Sequence, residues 1–305
     1  MKKVLVLYFS QSGQLKTITD LLTTSFRNDN NYNVHFEELK PVNPFPFPWT
    51  ALSFFNAFPE SFHQIPIELQ PLSLEAKQAF DLIIVAYQPW FLTPSPPIAS
   101  FLQSEEGKQL LAGKNIVTIL GCRNMWLGAQ EKVKLHLANA KANLVGNIAL
   151  VDNSGNITSV ITILRWMLTG KKEAFWFFPK AGIQEKELES VSGFGSIVKN
   201  ALEQDEWKNL QTKLNAAGAL DIKPNLVLLE KRGTRAFPIW AKFIANGGSP
   251  DSWSRKFRVY IYMILLPTVV FILSPILSLV SFILLKVKKE ELQAEVDYYL
   301  QNKLR

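Results

Sequence analysis

The feature that most constrains the fold is an alternation of short apolar runs with segments of helical periodicity. Four near-continuous apolar runs have strand length: residues 4–9, 81–87, 115–120 and 144–151. Such runs are typical of strands buried on both faces of a parallel sheet. Helical periodicity follows three of them, over residues 14–26, 98–111 and 127–142. Residues 34–39 alternate and supply a second strand near an edge. We therefore predict a doubly wound α/β fold, a five-stranded parallel sheet in the order 2-1-3-4-5.

Composition narrows the class of partner. The chain has a formal net charge of +7, which fits nucleic acid, an anionic membrane or an anionic cofactor. Basic residues cluster around an apolar run near the C-terminus, so we favour a membrane and predict no nucleic acid. The single cysteine, Cys122, excludes an internal disulfide and a multi-cysteine zinc site, and no metal is predicted. The apolar run at 4–9 is too short for a signal peptide, so most of the chain is expected in the cytoplasm.

Composition also divides the chain. The predicted sheet domain covers residues 1–205, with a Pro-rich aromatic insert at about 41–75 and an apolar extension at about 153–182. Residues 206–254 are predicted to be a linker with an amphipathic connection. Residues 255–289 are predicted to be a membrane segment with basic flanks, and residues 290–305 a short C-terminal helix.

The membrane segment is predicted from an uncharged stretch. Residues 259–285 carry no charge, and as one helix they would extend roughly 40 Å, beyond the ~30 Å hydrocarbon core of a bilayer. Pro267 and Pro275 can kink it or turn it into a re-entrant hairpin. We expect it to anchor the chain at the cytoplasmic face of an inner membrane. A buried helix within the folded protein is the alternative.

A short polar loop follows the first predicted strand and opens the first helix. It reads Ser10, Gln11, Ser12, Gly13 and Gln14. A helix N-terminus offers free N–H groups and a positive dipole end, which attract a phosphate. The alternative is that these residues only cap the helix. The string VLVLYFSQSGQLKTI resembles a flavodoxin N-terminus, although Leu15 stands where that family usually has a threonine. The resemblance implies a flavodoxin-like fold that binds FMN through this loop.

Two further loops follow the strands that should flank the flavin ring. The first contains Pro89, Trp90, Phe91 and Leu92, and it resembles the Pro-x-x-Trp loop of flavodoxin-like quinone reductases. The second contains Gly121, Cys122, Arg123 and Asn124. Ligands of open α/β sheets lie beyond the carboxyl ends of the strands, so both loops are predicted to contact FMN. The alternatives are that Trp90 and Trp126 cover the sheet end and that Cys122 is a small buried apolar residue.

Long strings along most of the chain resemble the dialkylresorcinol-condensing enzymes of the DarA type. The strings are FPFPW at 45–49, AFPESF at 57–62, AYQPWFLTPSPP at 86–97, RNMWLGAQEKVK at 123–134, ILRWMLTGKKE at 163–173 and LLEKRGTRAF at 228–237. The resemblance implies a role in making dialkylresorcinols and aryl-polyene lipids with a ketosynthase III-like partner. That partner joins two acyl chains into a dialkylcyclohexane-1,3-dione, which must lose two hydrogens to become a resorcinol.

A flavin is suited to that two-electron oxidation, so we predict an FMN-dependent aromatising oxidoreductase with a hydrophobic dialkyl ring substrate. Arg123 is a candidate for holding the enolate, and Tyr87 or His63 for relaying a proton. A homodimer is possible, as flavodoxin-like reductases often pair. Two alternatives stay open. One is a membrane-associated quinone reductase or electron carrier, and the other is a cofactor-free scaffold for the ketosynthase, which Leu15 favours.

Overall fold

The computed structural model describes residues 1–303, with the side chains of residues 156, 267 and 269–279 outside the description. Its strands are β1 (Lys2–Tyr8), β2 (Tyr32–Glu38), β3 (Leu82–Tyr87), β4 (Pro89–Trp90), β5 (Thr93–Pro94), β6 (Asn115–Cys122) and β7 (Asn143–Val151). Five form one parallel sheet in the order β2-β1-β3-β6-β7. The order reads differently from the predicted 2-1-3-4-5 because β4 and β5, which were not predicted, intervene in the chain and form a separate two-stranded sheet.

Helices connect the strands and continue beyond the sheet. Their bounds are α1 (Gln14–Leu22), α2 (Thr24–Arg27), α3 (Ala51–Asn56), α4 (Phe58–Phe62), α5 (Pro96–Gln103), α6 (Glu105–Leu111), α7 (Leu127–Asn139), α8 (Asn156–Thr169), α9 (Glu185–Glu189), α10 (Val191–Gln204), α11 (Leu210–Ala216), α12 (Pro224–Ala245), α13 (Trp253–Val287) and α14 (Lys289–Gln301). The long predicted helices at 14–26 and 98–111 are each divided into two.

Two layers of helices bury the sheet. Alternate residues of β1 point to opposite faces, so Leu5 and Leu7 belong to one core while Val4 and Val6 belong to the other. The first core contains apolar residues of α5, α7, α12 and α14. The second contains those of α1, α10 and α11. The C-terminal helices thus share the core of the sheet.

A third apolar cluster joins the insert to the C-terminal helices. Phe58 of α4 packs with residues of α12 and α13, including Tyr262, whose ring is stacked 5.5 Å away. The buried guanidinium of Arg255 donates to both carboxylate oxygens of Glu60, at 2.7 and 2.6 Å, and to the side chain and carbonyl of Asn56. A charged group this buried is stabilised only when it is paired, so the contact fixes α13 against the insert.

The structure bears on the predicted membrane segment in two ways. The backbone of α13 is one continuous helix over Trp253–Val287, so of the two arrangements left open, a helix or a hairpin, the structure shows the helix. Among the described residues, no helix is long and apolar enough to cross a membrane. Part of the segment predicted at 259–285 lies outside the described side chains, at residues 267 and 269–279.

Candidate functional site

The loop between β1 and α1 forms one wall of the candidate site. Gly13 has φ 85°, a left-handed conformation that favours glycine, and it places the chain at the start of α1 without any side-chain cap. The first N–H groups of the helix therefore keep their capacity to bind an anion. Lys16 does not extend toward this loop: its ammonium pairs with Asp20 at 2.6 Å and lies over the Phe36 ring.

Two glutamines of this loop hold other segments against it. The Gln11 amide donates to the Pro46 carbonyl at 2.8 Å. The Gln14 amide donates to the Ile183 carbonyl at 3.1 Å and accepts from the Ile183 N–H at 3.2 Å. Both side chains are therefore tethers to the insert and to the segment that follows α8.

The loop after β3 is a tight hairpin built from β4 and β5. Phe91 and Leu92, at its tip, have φ of 50° and 64°, and two consecutive left-handed residues are typical of a type I′ turn. Non-glycine residues in this region carry a cost of about 1–2 kcal/mol each. Packing offsets that cost, because Phe91 lies 4.8 Å from the Phe58 ring and Leu92 is buried. The hairpin presents Trp90, whose ring packs on Trp49 at 5.5 Å.

The end of β6 supplies the third wall. Gly121 approaches α1 closely, since a Cβ there would lie 3.1 Å from the Ile18 side chain. Burial raises the pKa of the Cys122 thiol well above its ordinary value, so the thiol stays protonated near neutral pH. Burial also lowers the pKa of the Arg123 guanidinium, which nevertheless remains a cation at the rim.

The three loops border one cleft. Parallel strands place their carboxyl ends at the same edge of the sheet, so the loops after β1, β3 and β6 converge there. The cleft has a cavity volume of about 230 Å³, somewhat below the roughly 300–1,000 Å³ of pockets that bind drug-sized ligands. Its lining from these loops consists of Gln11, Ser12, Gln14, Gln88, Pro89, Trp90, Phe91, Gly121, Cys122 and Arg123.

An apolar cover encloses the cleft on its outer side. The cover consists of Phe47, Trp49 and Phe54 from the insert, together with Ile163, Trp166 and Met167 from α8. The backbone N–H of Trp49 donates to the Met167 carbonyl at 2.8 Å. This hydrogen bond joins the two halves of the cover.

A buried carboxylate at the end of β7 sets the position of α8. Asp152 accepts from the Ser154 N–H at 3.0 Å and from the Ser159 hydroxyl at 2.6 Å. Its own N–H donates to the Cys122 carbonyl at 3.0 Å. The start of α8 is therefore tied to the strand ends, and its inner face lies over the cleft.

The cleft lining includes most but not all of the predicted site residues. Those that line it are Gln11, Ser12, Gln14, Pro89, Trp90, Phe91, Gly121, Cys122 and Arg123. Within the described part of the chain, Ser10, Gly13, Leu92 and Asn124 are adjacent to this lining but outside it. Ser10 instead accepts a long contact of 3.4 Å from the Lys16 N–H.

Two proposed catalytic residues lie elsewhere. Tyr87 is fully buried beneath α7, where its hydroxyl donates to Gln130 at 2.7 Å. Burial raises its pKa well above the ordinary value, which disfavours proton transfer. His63 follows α4 with its ring against Phe62, outside the residues that line the cleft. Neither side chain is among the described residues that line the cleft, whereas Arg123 is. A proton-relay role for Tyr87 or His63 stays a prediction.

For the insert and residues 157–178, the sequence left three interpretations open: the wall of an apolar pocket, an interfacial platform or ordinary core. The structure places residues of both segments in the cleft lining. The aromatic content of the insert and the apolar pattern of α8 were signals for buried surface, but neither gives the direction in which a side chain points. For the other tryptophan considered, the packing alternative is correct: Trp126 is buried in the core.

Comparisons with known proteins give matches among solved structures. Neither protein-family models nor curated proteins give a match. Among solved structures, a flavoprotein from Lactobacillus acidophilus NCFM in complex with FMN is 18% identical, covering 49% of this chain and 93% of its own, with a TM-score of 0.40. A putative flavoprotein from Bacteroides eggerthii DSM 20697 is 17% identical, covering 49% and 89%, with a TM-score of 0.39. A flavodoxin from the domain Archaea is 12% identical, covering 66% and 99%, with a TM-score of 0.39. These values are too low for a cofactor or an activity to be transferred.

The sheet itself defines the class. The five parallel strands form the flavodoxin-like arrangement, in which β1 lies between β2 and β3. The chain is therefore an α/β protein with a flavodoxin-like sheet, and the cleft lies at the switch point of that sheet.

Proposed function

We propose that this chain is an FMN-dependent oxidoreductase that aromatises a dialkylcyclohexane-1,3-dione supplied by a ketosynthase partner. The observation that carries the proposal is the cleft itself. It lies at the carboxyl ends of three parallel strands, beside a helix N-terminus that has no side-chain cap, and beneath an apolar cover.

The residues of the β1–α1 loop fit the phosphate of FMN. The N-cap residue Gly13 provides no side-chain cap for α1, and Ser12 lines the cleft beside the start of the helix. Because Lys16 is paired with Asp20, the anion would be held mainly by neutral donors and the helix dipole. The hairpin at Pro89–Phe91 and the β6 end at Gly121–Arg123 would hold the ring system. When bound, FMN supplies a two-electron acceptor.

The cover fits a ring with alkyl substituents. Trp49, Trp166 and Met167 offer apolar surface, and burial of such surface contributes about 25 cal/mol per Å². Arg123 is the cation among the described lining residues, and the dione is acidic, so its enolate would be stabilised by this guanidinium. The loss of two hydrogens from the ring then gives the resorcinol.

The first experiment is the absorbance spectrum of the purified protein, with any released cofactor identified by mass. Flavin bands and released FMN would support the proposal. A colourless protein that FMN titration fails to reconstitute would contradict it and favour the scaffold alternative.

A charge substitution tests the phosphate site. Ser12→Asp places a carboxylate at the start of α1, where the helix dipole should raise the free energy of unfolding by about 0.3–1 kcal/mol. The same carboxylate repels a phosphate dianion, so we expect FMN affinity to fall at least about a hundredfold. Binding of riboflavin, which has no phosphate, should change far less.

The matched control is Ser192→Asp, which adds the same charge in the first turn of α10 on an exposed face. It should leave FMN affinity unchanged. Equal FMN affinity in the Ser12→Asp protein would show that the phosphate does not lie at this loop.

Substrate oxidation is tested separately on the flavin-loaded protein under anaerobic conditions. A 2,5-dialkylcyclohexane-1,3-dione should bleach the flavin and yield one resorcinol per flavin reduced. If the dione has no effect while reduced flavin is reoxidised rapidly by a quinone, the quinone-reductase alternative is correct.

A further inference from the structure

A two-residue turn after α8 exposes large aromatic side chains to solvent. The backbones of Phe175 and Phe178 exchange hydrogen bonds of 3.1 and 2.9 Å, and this leaves Trp176 and Phe177 at the tip. Trp176 is 91% exposed and Phe177 is 82% exposed. Trp176 also has φ 49°, a conformation that is unfavourable for a non-glycine residue. Neither burial within the chain nor backbone preference accounts for this tip.

Basic residues surround the turn. Residues 165–180 contain four cations, Arg165, Lys171, Lys172 and Lys180, against one acid, Glu173. The Arg165 guanidinium lies 4.2 Å from the centre of the Phe175 ring and donates to the Glu173 carbonyl at 2.7 Å, which stiffens the base of the turn. Burial and, to a smaller extent, the Lys180 ammonium lower the pKa of Lys172. Lys180 itself pairs with Glu185 at 3.2 Å.

The helix that leads into the turn adds apolar surface. Ile157, Leu164 and Leu168 of α8 are exposed, and their spacing of seven and four residues places them on one face of the helix. The inner face of the same helix carries Trp166, which lines the cleft. The helix therefore carries apolar side chains on its outer face as well as its inner face, which a helix that simply covers a core does not require.

We propose that the turn at 175–178 and the outer face of α8 form a docking surface for an anionic lipid bilayer. Aromatic tips prefer the membrane–water interface, and basic flanks are attracted to anionic headgroups at about 1 kcal/mol per cation. The surface area of two tip side chains and one helix face is smaller than the interface of about 1,000 Å² or more that a stable protein complex needs. It is sufficient for insertion into the membrane–water interface. A protein partner is therefore the less favoured occupant.

The surface lies next to the cleft along the chain. The Ala181 N–H donates to the Lys172 carbonyl at 2.9 Å, and the next residue, Gly182, lines the cleft. Docking would thus bring the rim of the cleft toward the lipid. The inference does not rest on the bound cofactor, because Trp176 and Phe177 are not among the described residues that line the cleft.

The test places an environment-sensitive fluorophore at the tip of the full-length chain. Trp176→Cys is labelled with a nitrobenzoxadiazole dye, and the matched site is Leu135→Cys on the exposed side of α7. Unsubstituted protein gives the background from Cys122. Vesicles of phosphatidylcholine with phosphatidylglycerol should shift the emission to the blue at position 176 but not at position 135, and high salt should reduce the shift.

Removal of the tip gives the second measurement. Trp176→Ser combined with Phe177→Ser should lower the partition coefficient on anionic vesicles at least about tenfold. FMN binding and thermal stability should be unchanged, which separates this result from a failure of the proposed function. The proposal is overturned if the probe at 176 stays in a water-like environment while the protein is on the vesicles, if it responds no more than the probe at 135, or if the protein does not bind anionic vesicles.

Discussion

Gly182→Ala tests the segment that closes the cleft. Gly182 has φ 86°, and a Cβ there would lie 2.6 Å from Gln14 Oε1 and 2.9 Å from the Trp166 ring. The left-handed backbone costs alanine about 1–2 kcal/mol. Displacing the Gln14 amide also breaks its two hydrogen bonds with Ile183, each worth about 0.5–1.5 kcal/mol. We expect a total loss of about 2–5 kcal/mol from the free energy of unfolding.

The matched control is Gly218→Ala. Gly218 has φ 88° but no atom within 4 Å of an added Cβ, so only the backbone cost of about 1–2 kcal/mol applies. Any gain from a less flexible unfolded chain is the same in both variants and cancels. Urea denaturation should separate them by about 1–3 kcal/mol, and the Ile183 amide should exchange faster only in Gly182→Ala. Equal losses and equal exchange would refute the claim that Gln14 tethers this segment.

Three further outcomes follow from buried polar groups. Burial raises the pKa of Glu230 from 4.5 to about 6; the folded state thus binds this proton more tightly than the unfolded state, and stability should fall by about 2 kcal/mol as pH rises through that interval. Urea titrations across pH should show a flatter profile for Glu230→Gln. Arg255→Ala should cost about 2–3 kcal/mol, below the 3–5 of a fully buried pair because Glu60 is 38% exposed, as measured by the urea midpoint. Tyr87→Phe should cost about 1–2 kcal/mol by depriving Gln130 of its donor, yet calorimetric FMN affinity should not change.

The sheet was predictable because its signals are local. Each apolar run is long enough to be buried on both faces, and the observed strands β1, β3, β6 and β7 match the four runs to within two residues at each end. The short hairpin of β4 and β5 was missed because two left-handed residues, Phe91 and Leu92, form its turn without the usual Asn-Gly or Gly signal.

The site was only partly predictable because its two halves have different origins. The three loops follow from topology: each strand end must lie at the same edge of the sheet. The cover follows from tertiary contacts between segments more than a hundred residues apart, such as the Trp49–Met167 hydrogen bond. No periodicity in either segment indicates that partner. Tyr87 is a different case: it was a candidate for chemistry because of its place at a strand end, and its hydroxyl donates to Gln130 inside the core.

The loop between β1 and α1 is tied to the insert and to the segment after α8. Gln11 and Gln14 were assigned to the cofactor from their position in the loop, yet their amides bond to the insert and to the segment after α8. The backbone N–H groups and the Ser12 hydroxyl are left as the donors for an anion. Occupation of this loop should therefore restrain the insert and the segment after α8, because any shift of the loop moves the two glutamines. Hydrogen exchange at the Ile183 amide should slow when FMN is added, and unchanged exchange would show that the two are independent.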